Sequence, residues 1–96
     1  MATYIVLANW TDQGIKNVKD TIDRMHHYRA LCEQHGIKVI SYYWTQGRYD
    51  NIVVVEAPDE QTMVASILAS SRMGNVRSET LRAFNEGEMF TILQKV

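Results

Sequence analysis

The chain has 96 residues, with 10 lysines and arginines against 11 aspartates and glutamates, and its formal net charge is −1 at pH 7. Nucleic-acid binding needs a net or clustered positive field, so this balance excludes it as the expected function. The longest apolar runs, 4–8 and 52–55, are far shorter than the roughly 20 residues of a membrane span. No basic segment leads into an apolar one at the N-terminus, as a secretory signal requires. The single cysteine, Cys32, excludes an intrachain disulfide, and we expect one cytoplasmic domain over residues 1–96.

Four strands are predicted from compact runs of β-branched and aromatic residues, at residues 3–9, 37–46, 51–57 and 76–84. With a helix after the first strand and another after the third, the order is βαββαβ, the ferredoxin-like plan. This is an α+β fold, a four-stranded antiparallel sheet with two helices on one face. The plan has the spatial strand order 4-1-3-2. The two continuous apolar runs fall on the central strands, and the fourth strand carries the charges that edge strands tolerate.

Two helices are predicted from apolar residues at helical spacing. The first follows a cap at Thr11 or Asp12 and ends at Gly36, and its apolar stripe comprises Ile15, Val18, Ile22, Met25 and Cys32. The second lies between Asp59 and Gly74, with a stripe of Met63, Val64, Ile67, Leu68 and Ser71. A capping box at Asn85 and Glu88 predicts a short terminal helix through Leu93.

The hairpin at residues 47–50 sets the expected pairing of the second and third strands. If Gly47 pairs with Asp50, Tyr43 lies opposite Val54. One face then carries Ser41, Tyr43, Thr45 and Glu56, and the other carries Tyr42, Trp44, Val53 and Val55.

The sheet also predicts self-association. Two helices cover one face only, and an antiparallel sheet with one wet face should alternate apolar and polar residues. Residues 4–8 and 52–55 do not alternate, and each apolar side chain left in water forgoes roughly 1.5–3 kcal/mol. We expect a homo-oligomer whose sheets pack face to face. The alternatives are a monomer with an exposed apolar sheet, or a helical tail folded across it.

The hairpin and its surroundings resemble the GYD domain family. The segments that carry the resemblance are 45–50 (TQGRYD), 56–60 (EAPDE), 74–77 (GNVR) and 79–84 (ETLRAF). The family is named for Gly-x-Tyr-Asp, here Gly47, Tyr49 and Asp50. The resemblance implies a dimeric α/β barrel, in which ferredoxin-like subunits pair through their sheets. It transfers no catalytic residue, because related barrels include cofactor-free monooxygenases, isomerases and simple ligand binders.

Four residues are candidates for ligand binding: Tyr43, Asp50, Glu56 and Arg77. Tyr43 and Glu56 either line a pocket or hydrogen-bond to a partner subunit. Asp50 is either a general base at the rim of the barrel or an acceptor that fixes its turn. Arg77 either orients an anionic ligand or forms an ion pair at the sheet edge.

No metal site and no cofactor are expected. His26 and His27 are adjacent on a helix and point about 100° apart, and the i,i+4 spacing of helical zinc pairs is absent.

The sequence therefore favours a homo-oligomeric protein that binds a small molecule, either between sheet and helices or between subunits. The alternative is a cofactor-independent monooxygenase or isomerase that uses Tyr43 and Glu56 in a pocket of several hundred Å³. A non-catalytic assembly scaffold is also compatible with the sequence.

Overall fold

A computed structural model describes all residues from 1 to 96. The elements in chain order are β1 (Ala2–Trp10), α1 (Asp12–Lys16), α2 (Thr21–Gln34), β2 (Lys38–Trp44), β3 (Asn51–Ala57), α3 (Glu60–Ser71), β4 (Val76–Ala83) and α4 (Glu86–Leu93). A short 3₁₀ turn at Val18–Asp20 separates α1 from α2. None of these helices combines the length and apolarity needed to cross a lipid bilayer.

The four strands form one antiparallel sheet in the order β2-β3-β1-β4. This confirms the predicted ferredoxin-like plan, with β1 and β3 at the centre. Their pairing sets Tyr4 against Val55 and Val6 against Val53. All four side chains are buried beneath α2 and α3, so the centre of the sheet is also the centre of the core.

The predicted register of β2 against β3 is wrong by two residues. Tyr43 lies opposite Ile52, and a bulge at Ile40 interrupts the ladder between Val39 and Ser41. The loop is longer than expected, because Thr45 rather than Gly47 closes it, with its N–H donating to the Asp50 carbonyl at 2.8 Å. A shift of two keeps every side chain on its face, so the predicted division of the two faces is confirmed.

The second face of the sheet is not covered by any element of the chain. We call it the open face and define it by its apolar residues, Ile5, Leu7, Tyr43, Ile52, Val54 and Leu81. Strand neighbours shield most of these side chains in part, but Tyr43 remains 63% exposed. The predicted need for a covering layer therefore persists in the structure.

The first helix is not the continuous element that the sequence predicted. It breaks at Asn17, where α1 ends and the 3₁₀ turn begins. Ile15 and Ile22 are 50% and 56% exposed, whereas Cys32 is fully buried as predicted. Tyr28, which the predicted stripe omitted, packs against the core instead.

The predicted stripe of the second helix is also only partly correct. α3 buries Met63 and Ser66, while Val64 and Leu68 are exposed. Ser66 tolerates burial because its hydroxyl donates to the Met63 carbonyl at 2.7 Å. Its small side chain takes a core position that the apolar pattern assigned to larger neighbours.

α4 begins with the predicted capping box, in which Asn85 and Glu88 exchange side-chain and backbone hydrogen bonds. The hydrogen bond from the Asn85 N–H lowers the pKa of Glu88, which also pairs with Arg82 at 3.2 Å. The helix does not fold across the open face, and Phe90 and Leu93 remain exposed. The alternative of a covering tail is therefore excluded.

Candidate functional site

A cavity of about 320 Å³ lies between the helix-covered face of the sheet and the helices α2 and α3. Each of the four strands contributes to its floor. α2 and the C-terminal part of α3 form its roof. Small side chains leave the space open, on the floor at Ala8 and Ser78 and on α3 at Ala69 and Ser70.

One end of the cavity is closed by contact between α1 and the segment that precedes β4. The N–H of Thr11 donates to the Asn75 carbonyl at 3.1 Å, and Gln13 donates to the Met73 carbonyl at 3.1 Å. Gly14 sits against the Asn75 carbonyl so closely that a Cβ on it would collide with that oxygen. This glycine is therefore required by the close approach of the two backbones.

Tyr28 and Tyr42 line the cavity between α2 and β2, and Trp44 packs against Tyr42 outside the lining. Tyr28 meets Tyr42 edge-to-face, with ring centroids 6.5 Å apart, and Tyr42 lies 5.0 Å from Trp44. The indole N–H of Trp44 donates to the Thr21 hydroxyl at 3.0 Å. This bond ties the end of β2 to the start of α2 and holds the aromatic side in place.

The tyrosines of the cavity are poor acid–base groups. Burial raises the pKa of Tyr28 and of Tyr42, so both phenols stay protonated at neutral pH. A general base needs a pKa near the working pH. The Tyr28 hydroxyl is also buried, with the Cys32 thiol beside it and no nitrogen or oxygen atom within hydrogen-bond distance.

Arg24 is the arginine among the residues that line the cavity. It is held in place by two backbone carbonyls, since it donates to Asn17 at 2.8 Å and to Gly14 at 3.3 Å. Both carbonyls lie at the break in the first helix, where regular hydrogen bonding is interrupted. The break in the first helix therefore supplies the two carbonyls that hold the Arg24 guanidinium.

None of the four predicted site residues lines the cavity. Tyr43, Glu56 and Arg77 share the open face, where Glu56 lies opposite Thr3 and Lys38. A ligand-binding role for them between subunits stays a prediction. The enzyme hypothesis placed Tyr43 and Glu56 together in a pocket, and the single chain does not provide that arrangement.

Asp50 lies at the end of the sheet and clamps the hairpin to β1. Its carboxylate accepts the N–H of Trp10 at 2.8 Å, and its own N–H donates to the Ala8 carbonyl at 2.9 Å. The neighbouring Tyr49 hydroxyl donates to Glu79 of β4 at 2.9 Å, which raises the pKa of Tyr49. Gly47 provides the positive φ of 97° that the turn needs. Gly47, Tyr49 and Asp50 thus fix the hairpin to two strands.

Sequence reasoning missed the residues that form the polar part of the cavity, Arg24, Tyr28 and Asn51. The i,i+4 spacing of Arg24, Tyr28 and Cys32 could have identified two of them, because it places all three on one side of α2 and Cys32 was predicted to lie in the core. No group of three His, Cys, Asp or Glu side chains is arranged to hold a metal ion.

Comparison with known proteins gives one family and one shared fold. The GYD domain family matches residues 4–93 of the chain. A Thermus thermophilus protein named glutamine synthetase and cystathionine beta-lyase binding protein is 30% identical over 95 residues, which are 98% of this chain and 100% of that protein.

Among solved structures, a feast or famine regulatory protein from M. tuberculosis, complexed with L-methionine, superposes with a TM-score of 0.67 at 16% identity. The match covers 88% of this chain and 51% of that one, so the chain spans about half its length. FFRP-DM1 superposes with a TM-score of 0.62 at 21% identity, covering 88% of this chain and all of that one. At these identities the superpositions show the fold alone.

The clamp by Asp50 can be measured as stability. We expect Asp50→Ala to lower the free energy of unfolding by about 1.5–3 kcal/mol, because the Trp10 N–H loses a charged acceptor. Asp50→Asn keeps an acceptor oxygen and should cost less than half as much. Urea denaturation checks both variants, with the exposed neighbour Arg48→Ala as the control. Equal stability of Asp50→Ala and wild type would contradict the clamp.

Proposed function

This chain belongs to the GYD domain family, and from that premise we propose that it is a homo-oligomeric protein that binds a small molecule. The proposed site is the cavity beneath α2 and α3. The cavity carries the proposal because its volume, about 320 Å³, lies within the range of roughly 300–1,000 Å³ typical of ligand pockets.

The lining of the cavity supports binding rather than catalysis. Apolar side chains form most of the wall, and a few polar groups stand among them, the common composition of small-molecule sites. Its phenols are held neutral, and none of the serine or threonine hydroxyls in its lining is hydrogen-bonded to His27. The methionine complex of the feast or famine protein supports the proposal only as a precedent for ligand binding on this fold.

Filling the cavity should abolish binding. Ala69 lines the cavity, whereas Ala65, one turn earlier on α3, is exposed and does not. We expect Ala69→Leu to weaken binding of a small apolar probe such as indole at least tenfold, because the added side chain occupies the space. Ala65→Leu should change it less than twofold. Ligand-detected NMR measures both, on variants shown to fold by circular dichroism.

Two results would contradict the ligand site. One is equal binding by the Ala69→Leu and Ala65→Leu proteins. The other is the absence of binding to wild-type protein across a set of small aromatic, aliphatic, neutral and charged compounds at millimolar concentration.

The open face supports self-association. Its six apolar side chains lie on a surface that no element of the chain covers, and α4 leaves them free. Packing this face against the same face of a second copy would bury them in both subunits at once. Tyr43, Glu56 and Arg77 would then lie at the interface, where each can contact the partner or a ligand held between subunits.

A single charge should separate the subunits. We expect Leu7→Lys, on the open face of β1, to convert the oligomer into a particle of 11.1 kDa, because a lysine in the apolar interface would be desolvated without a partner. Leu68→Lys places the same charge on the exposed outer side of α3 and should leave the mass unchanged. Light scattering at micromolar concentration measures both. A wild-type monomer would overturn this part of the proposal.

A second candidate function is binding to metabolic enzymes. The observation that favours it is the full-length likeness to the Thermus thermophilus protein named for binding glutamine synthetase and cystathionine beta-lyase. The surface offered for it is α4, which projects from the body with Met89, Phe90 and Leu93 exposed. Aromatic side chains of this kind often dominate the energy of protein interfaces.

This second candidate is tested with purified glutamine synthetase and cystathionine beta-lyase from the organism that encodes the chain. We expect Phe90→Glu to weaken binding to at least one of them by tenfold or more, because it removes an apolar contact and adds a charge. Thr91→Glu adds the same charge on the same helix and should have less than a threefold effect. Biolayer interferometry provides the measurement, and no binding by wild type to either enzyme would refute this candidate.

A further inference from the structure

Resting on the proposed function, we propose that the cavity takes a small organic monocarboxylate that carries no ammonium group. The carboxylate lies beside Arg24, and the apolar body extends along Val6, Val53 and Ile67. The inference concerns the chemical class of the ligand and follows from the charges and the wall of the cavity.

The charges of the cavity are of one sign. Apart from the two neutral tyrosines, the ionisable residues among the 18 that line it are Arg24 and His27. No aspartate or glutamate lines it. The chain's one ion pair joins Arg82 to Glu88, so no carboxylate of the chain pairs with the Arg24 guanidinium.

Arg24 has hydrogen-bond donors that no group of the chain accepts. A guanidinium carries five N–H groups in a rigid fork, and the two hydrogen bonds of Arg24, to Asn17 and Gly14, leave three N–H groups free. Such a fork binds a carboxylate through two parallel bonds. Because two carbonyls already hold the side chain in place, little rotamer entropy remains to be lost when an anion binds.

No carboxylate lines the cavity to compensate the charge of an ammonium group. A buried ammonium needs a carboxylate or several acceptors to offset its desolvation. Asp23, the acidic residue next to Arg24 in the chain, is exposed and does not line the cavity. An amino acid would therefore bring a charge that the site does not compensate, although its carboxylate would still suit Arg24.

The remaining wall suits an apolar body. Val6 and Val53 form the centre of the floor, and Ile67 faces them from α3. The edge-to-face pair of Tyr28 and Tyr42 adds aromatic surface at one side. Asn51, which is buried in the floor, supplies a neutral amide suited to a polar atom on the ligand.

Three matched probes test the class of ligand. 3-Phenylpropanoate carries the anion, 3-phenylpropanamide replaces it with a neutral group of similar size, and L-phenylalanine adds an ammonium. We expect the carboxylate to bind at least tenfold more tightly than either of the others, measured by isothermal titration calorimetry at one pH and salt concentration. Arg24→Gln should reduce the preference over the amide to less than twofold.

Two controls make the result specific. Arg29→Gln removes an exposed guanidinium five residues along the same helix, outside the cavity, and should keep the full preference. Binding of the amide to Arg24→Gln should equal its binding to wild type, which shows that the cavity is intact. Loss of the preference in Arg29→Gln, or its persistence in Arg24→Gln, would refute the role of Arg24.

The outcomes separate this inference from the function beneath it. If the amide or the amino acid binds as well as the carboxylate, the inference is wrong and the ligand site stands. If none of the three probes, and none of the neutral and charged compounds used with the Ala69→Leu variant, binds to wild type, both proposals fail.

Discussion

The pairing of β1 with β3 is the interaction on which the rest of the structure depends. Both strands are apolar on both faces, and their register sets Tyr4 against Val55 on one side and Ile5 against Val54 on the other. The first side forms the core with α2 and α3. The second side is left bare, because a chain of 96 residues provides only two long helices. The core and the open face therefore both follow from this one pairing. A second subunit packed against the open face would remove its apolar side chains from water.

The family motif stabilises this pairing. Asp50 joins the hairpin to the end of β1, and Tyr49 reaches across to Glu79 on β4. The three named residues of the motif thus carry hydrogen bonds and a turn conformation that hold β3 beside β1. The motif therefore has a structural role in this chain, and its three named residues lie outside the lining of the cavity.

The sequence predicted strands better than helix faces, for a physical reason. Strand identity and order follow from continuous apolarity, and a register error of two residues preserved the faces despite the bulge at Ile40. The helices carry apolar residues on both sides, so the pattern did not distinguish the exposed Ile22 and Leu68 from the side chains that pack inward. A break at Asn17 and a buried Ser66 are invisible to a pattern that seeks only hydrophobic spacing. The cavity was missed as well, because the phase of α2 decides which of its polar side chains, such as Arg24, face the sheet, and the apolar pattern did not fix that phase.

The cavity is lined mostly by apolar side chains, and water gains little from contact with such a surface. The cavity reaches the surface at the exposed residues His27 and Met73, so water can enter it. Water against the apolar walls near Val53 is poorly bonded, and a ligand that displaces it gains roughly 25 cal/mol for each Å² of apolar surface covered. The small side chains at Ala8, Ala69 and Ser78 therefore leave apolar surface uncovered that a ligand of the proposed class would cover.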